Sequence, residues 1–122
     1  MKRPDIVRRI AEVVHRIAPD AKTILYGSEA RGDAQVDSDI DLLILLDGDH
    51  LAPERELEIT RHLYEVEVET GVIISPMVVL RRELELKTGV TISPIIMLKK
   101  LWENRPFKTP FYINIVNEGI VL

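Results

Sequence analysis

Six residues in a row, Gly27, Ser28, Glu29, Ala30, Arg31 and Gly32, are followed by Ser38, Asp39, Ile40 and Asp41 and then by the apolar stretch Leu42 to Leu46. Asp39 and Asp41 lie two apart on what reads as a strand, so their side chains leave the same face with Cα atoms roughly 6.5–7 Å apart. Two carboxylates at about 5 Å repel by roughly 3 kcal/mol at an effective dielectric near 20, and a shared cation removes that cost. Oxygen-only ligands beside a phosphate turn favour magnesium, with manganese as a substitute. Gly27 lets a phosphate approach the backbone closely, and Ser28 adds a hydroxyl donor beside the amides of residues 28–32. Arg31 would either hold phosphate or brace the loop against an aspartate. The set reads as equipment for holding a metal-bound nucleoside triphosphate.

Two other phosphate or cation devices fail on their own residues. A calcium loop would place Asp37, Asp39 and Asp41 at its first, third and fifth positions, but Leu42 stands where glycine is required and Gly48 where glutamate is required. A Walker loop needs a Gly-Lys-Ser/Thr ending, which the chain lacks. His15, His50 and His62 show no ligand spacing and read as surface or partly buried residues.

The elements that must carry these residues follow from periodicity. Ile6, Ile10, Val13, Val14 and Ile17 recur at helical spacing, predicting an amphipathic helix over Pro4 to Ile17 that stops before Pro19. Thr23 to Tyr26 reads as a short strand ending at Gly27, and Ile40 to Leu46 as a strand buried on both faces. Leu57, Arg61, Tyr64 and Val68 predict a second helix from about Pro53 to Val66.

Beyond it lies an internal duplication. Residues 65–82 recur as residues 83–100, with Glu65, Glu67, Thr70, Gly71, Ser75 and Pro76 repeated as Glu83, Glu85, Thr88, Gly89, Ser93 and Pro94. Each copy holds a β-prone stretch, Val72 to Leu80 and Val90 to Leu98. Pro76 and Pro94 cannot donate a ladder hydrogen bond, which suggests edge strands or bulges. The plain reading is a tandem copy tolerated as one extra strand; the sharper one is a homodimer paired through that edge strand. Trp102, Phe107, Phe111, Tyr112 and Ile115 read as core anchors.

Bulk composition narrows the class. The 122 residues suit a single domain over 1–122, and 46% hydrophobic with 30% charged residues is the balance of a globular protein rather than a disordered one. A net charge of −4, with basic residues scattered from Arg8 to Lys100, argues against general nucleic-acid binding. Without cysteine there is neither a disulfide scaffold nor a thiolate metal site. No apolar run reaches the ~18 residues of a membrane helix and the first residues lack a signal-peptide core, so a soluble cytoplasmic protein is expected.

In combination and in this order, Gly27, Ser28, Ala30, Arg31, Gly32 and Ser38, Asp39, Ile40, Asp41, Leu42 closely resemble the signature of the polymerase-beta-like nucleotidyltransferase superfamily. The size, the leading helix and the ending Phe111, Tyr112, Ile115, Glu118 and Gly119 look like its minimal MNT-type members. That resemblance implies an α/β (α+β) fold: a small mixed sheet with helices packed on one face and the nucleotide site at its open edge. It also implies Mg2+-dependent transfer of AMP from ATP to a hydroxyl, with Ser38 joining Gly27, Ser28 and Arg31 at the nucleotide and Asp39 and Asp41 at the metal. Such proteins often pair with a HEPN-domain partner in toxin–antitoxin modules, and some adenylylate a tyrosine of that partner. The superfamily usually places a third carboxylate, the base for the attacking hydroxyl, on a later strand; Glu67, Glu69, Glu83 and Glu85 lie just before the two β-prone stretches, any of them would serve if its strand begins early, and Glu67 is the choice for that role. If none serves, the alternative is a non-catalytic, antitoxin-like binding module that keeps the nucleotide-binding fold.

Overall fold

The structure, a computed structural model, describes residues 2–83 and 118–122. The second copy of the duplication beyond Glu83 and the aromatic residues from Trp102 to Tyr112 lie outside the described residues. In chain order the elements are α1 (Pro4–Ile17), β1 (Lys22–Tyr26), α2 (Ser28–Arg31), β2 (Ile40–Leu46), α3 (Pro53–Thr70), β3 (Ile74–Leu80) and β4 (Ile120–Val121). They form a mixed α/β fold whose four described strands run in the order β3-β2-β1-β4. β1 is antiparallel to both β2 and β4, and β2 is parallel to β3. This is the arrangement expected of a polymerase-beta-like nucleotidyltransferase.

Alternation along the strands divides the sheet into two faces. Leu25, Ile40, Leu42, Ile44, Leu46, Ile74, Val78 and Leu80 join Val7, Ile10 and Val14 of α1 and Ile59, Leu63 and Val66 of α3 in one core. Both long helices therefore cover the same face. Ile24, Leu43 and Leu45 point to the other face and are equally buried, so β2 is apolar on both sides, as its unbroken hydrophobic run implied.

α1 occupies the expected span, with Pro4 at its first turn where a missing N–H costs nothing. α3 starts at Pro53 as expected but runs to Thr70, past Val66. Gly71, at φ 73°, supplies the left-handed cap, its N–H reaching the Glu67 carbonyl at 2.8 Å. The periodicity that revealed α3 belongs to its outer side: Leu57, Tyr64 and Val68 are exposed, while Ile59, Leu63 and Val66 make the core contact. Pro76 sits in β3 without a bulge, in continuous register with Leu42, and no described strand pairs with β3 on its other side. Among the described residues no helix is long and apolar enough to cross a membrane.

Candidate active site

The two aspartates lie at the start of β2, where three strands set one row of side chains. Tyr26 of β1 is opposite Asp41, and Asp41 is opposite Ser75 of β3. Because Ile40 and Leu42 face the helices, this row lies on the sheet face away from α1 and α3. Asp39, two residues earlier, is exposed, and its Oδ2 accepts a hydrogen bond from the Ser75 hydroxyl at 3.4 Å. Ile40 N donates to the Ile73 carbonyl at 2.9 Å, locking the start of β2 to that of β3.

Above Asp41 passes the turn out of β1. Gly27 has φ 77°, a conformation that disfavours any side chain. A Cβ placed on it would stand 2.4 Å from Asp41 Oδ2, so the turn can lie against the carboxylate only because residue 27 is glycine. Ser28 opens the single turn of α2, and its carbonyl accepts from Gly32 N at 3.0 Å and Asp33 N at 3.1 Å. Ser38 is not on that turn: its hydroxyl accepts from Gln35 N at 2.9 Å and its N–H donates to the Gln35 carbonyl at 3.1 Å, closing the loop before β2.

Arg31 is a brace. Its Nε donates to Asp33 Oδ2 at 3.2 Å, and its Nη1 donates to both carboxylate oxygens of Glu118 at 3.0 Å. The same Glu118 Oε1 accepts from Gly27 N at 3.2 Å. Through these contacts Arg31 ties the turn to Asp33 and Glu118. Glu118 was not among the expected site residues. It lies 91 positions from Gly27, so no local spacing could have linked them.

A second carboxylate anchors the turn from behind. Glu29 is fully buried and accepts from Lys2 N at 2.5 Å, Arg3 N at 2.9 Å and Arg3 Nε at 2.6 Å. Burial pushes its carboxyl up, but the Arg3 side chain and the two backbone N–H groups outweigh it and hold the group below the usual range.

Asp41 shows the opposite balance. Burial pushes its carboxyl above the ordinary range, the charges of Asp39 and Glu118 add to the rise, and Arg31 opposes it. Tyr26 is pushed up as well, by burial first and then by Asp41. Two same-facing aspartates, one of them desolvated and left partly uncompensated by protein cations, are a donor set that suits a hard divalent ion.

Glu67 does not join that pair. It lies in the last turn of α3, and its Oε1 accepts from Ile74 N at 2.8 Å, capping the entry into β3. The expectation required β3 to begin early enough to carry it; the helix instead continues to Thr70 and the strand starts at Ile74. Among the described residues no group of three or more His, Cys, Asp or Glu side chains could hold a metal ion. The strand position beside Asp41 is filled by Ser75. The cavity of about 830 Å³ lined by Lys2, Arg3 and residues 32–36 includes neither aspartate in its lining.

Comparison with curated proteins gave no match, and neither did comparison with solved structures. Comparison with protein families did: the Gly27 turn, the aspartate row and the strands that carry them all fall within residues 7–121, which match the nucleotidyltransferase domain. The chain belongs to the nucleotidyltransferase-domain family.

Proposed function

We propose that this chain moves a nucleoside monophosphate, AMP from ATP, onto a hydroxyl of a protein or small molecule. The observation that carries the reading is the seating of the Asp41 carboxylate against Gly27, with Asp39 accepting from the hydroxyl of Ser75, the residue opposite Asp41. Asp39 and Asp41 would hold Mg2+, or Mn2+ in its place, which supplies charge neutralisation at the triphosphate when bound. Ser28 and the amides beside it would take phosphate oxygens, and Gly27 keeps the turn close enough to the acids for both to touch one nucleotide. Arg31 and Glu118 hold that turn in shape. Ser38 contributes by fixing the loop that delivers Asp39.

The acceptor follows from the resemblance to MNT-type proteins, which points to a HEPN-domain protein encoded beside this chain. Incubation with labelled ATP, Mg2+ and the neighbouring gene's product tests both reaction and acceptor. The expected result is a labelled partner with the unaltered chain and none with Asp41→Asn. Retained labelling by Asp41→Asn would overturn the assignment of the metal pair.

A second reading has its own support. Ser75, a residue that cannot act as a carboxylate base, stands beside Asp41, and Glu67 is engaged at Ile74. Those contacts favour a binding module that holds nucleotide and partner without turnover. Stabilisation by Mg2+ and ATP with no labelled product would decide for it.

A further inference from the structure

α2 is four residues long and stands between two glycines of positive φ, Gly27 at 77° and Gly32 at 86°. A single helical turn does not hold itself together in water, and its one apolar side chain, packed against the core, is the methyl group of Ala30. Polar ties must therefore set its place. At about 100° per residue, Glu29 and Arg31 leave the turn on nearly opposite sides. Arg31 reaches forward to Glu118. Glu29 reaches back to the start of α1, where the N–H groups of Lys2 and Arg3 and the Nε of Arg3 all donate to its carboxylate.

Stability alone does not account for how the rear tie is built. The side chains of Glu29 and Arg3 are 0% and 13% exposed, so both charges are taken largely out of water. Arg3 meets Glu29 through Nε only, and its Nη1 and Nη2 are buried without a hydrogen-bond partner among the described residues. Desolvating two charges and leaving donors unmet both cost free energy, so an apolar pair of similar volume would hold the fold as well or better. An apolar pair could not accept the N–H groups of Lys2 and Arg3, which fix the orientation of the residue next to Ser28. We propose, on the reading of the Ser28 turn as the phosphate site, that Glu29 is a positioning residue for the nucleotide. It anchors α2 to the N-terminus of α1, so that Ser28 and the amides beside it face the triphosphate that Asp39 and Asp41 would hold through Mg2+. Arg3 offsets the negative charge that Glu29 would otherwise set one residue from the phosphates.

Positioning and plain support separate when affinity and stability are read on the same variants. Each is titrated with ATP in the presence of Mg2+ by calorimetry and melted without ligand. Arg3→Met/Glu29→Met, which removes both charges and keeps the volume, is expected to melt at or above the unaltered chain yet to bind ATP roughly tenfold more weakly. Arg3→Lys, which keeps a positive donor where only Nε is used, is expected to bind within about threefold of the unaltered chain. A double variant that binds as tightly as the unaltered chain would overturn the proposal and leave the phosphate reading of the turn standing. If the double variant does not fold, Glu29→Gln takes its place: it keeps the shape and one acceptor oxygen, and full affinity there would count against the proposal equally. Arg3→Lys binding as weakly as the double variant would remove the charge-offsetting role of Arg3. An unaltered chain that binds no ATP with Mg2+ would overturn the phosphate reading itself, and the positioning role with it.

Discussion

Glu118 and Arg31 meet through both carboxylate oxygens at 3.0 Å, and the same carboxylate accepts the Gly27 N–H at 3.2 Å. The chain's last described segment thus determines the shape of a turn that belongs to its first strand. β4 holds Glu118 there, through pairing of Ile120 with Leu25 and a hydrogen bond from Leu122 N to the Thr23 carbonyl at 2.9 Å. Glu118→Ala should raise the KM for ATP by roughly three- to tenfold through loss of turn geometry, with a smaller effect on kcat. Glu118→Gln, which keeps an acceptor for Gly27 N, should fall between the two. An unchanged KM in the alanine variant would remove Glu118 from the positioning of the turn.

Gly27→Ala faces two obstacles at once: a left-handed φ and a Cβ at 2.4 Å from Asp41 Oδ2. Holding a non-glycine residue there costs roughly 1–3 kcal/mol, and relief requires the turn to lift away from the carboxylate. The expected outcome is a lower melting temperature together with loss of nucleotide-induced stabilisation. Calorimetry with and without Mg2+ and ATP reads both.

Ser75→Asp should convert the row into three same-facing acids. A further unit charge near the cation adds an attraction of a few kcal/mol at an effective dielectric near 20, so Mn2+ affinity measured without nucleotide should rise by about tenfold or more. The same variant without bound metal should melt lower, since it adds a third like charge beside Asp39 and Asp41. Titration by electron paramagnetic resonance of Mn2+ provides the first readout and a thermal melt the second.

Asp41 makes the metal-free protein sensitive to pH in a definite direction. Its carboxyl is raised above the ordinary aspartate value of 3.8, so its contribution to stability is fully present below that value and is lost as pH rises through the raised one. At neutral pH the ionised group is therefore a cost. Asp41→Asn should melt higher than the unaltered chain at pH 7 in the presence of a chelator, the gap should close under acid conditions, and Mg2+ with ATP should no longer shift the melt. A lower melting temperature for the asparagine variant at pH 7 would contradict the sign.

Local pattern carried much of the fold. α1 was legible because one apolar stripe at a single period faces one core, and β2 because a strand buried on both faces needs an unbroken apolar run. α3 was legible for a different reason than the periodicity suggested: Leu57, Tyr64 and Val68 have helical spacing but lie outside the core, and the true end of the helix is determined by the left-handed cap at Gly71. The aspartate pair and the Gly27 turn could be read from spacing because both are short-range devices. Glu118, Ser75 and the engagement of Glu67 at Ile74 could not, since each depends on strand register or chain reversal that no local window contains.

β2 has a partner along both sides and apolar packing on both faces, and Asp41 stands near its first residue. Its amide protons, from Leu42 to Leu45, should be among the slowest in the molecule to exchange with deuterated solvent, and those of the loop before Asp39 among the fastest. One acid thus stands within a strand held along both edges, while its neighbour is the loop residue just before that strand. Exchange that is slow at Leu42 and fast before Asp39 would show that the two carboxylates are held with unequal firmness.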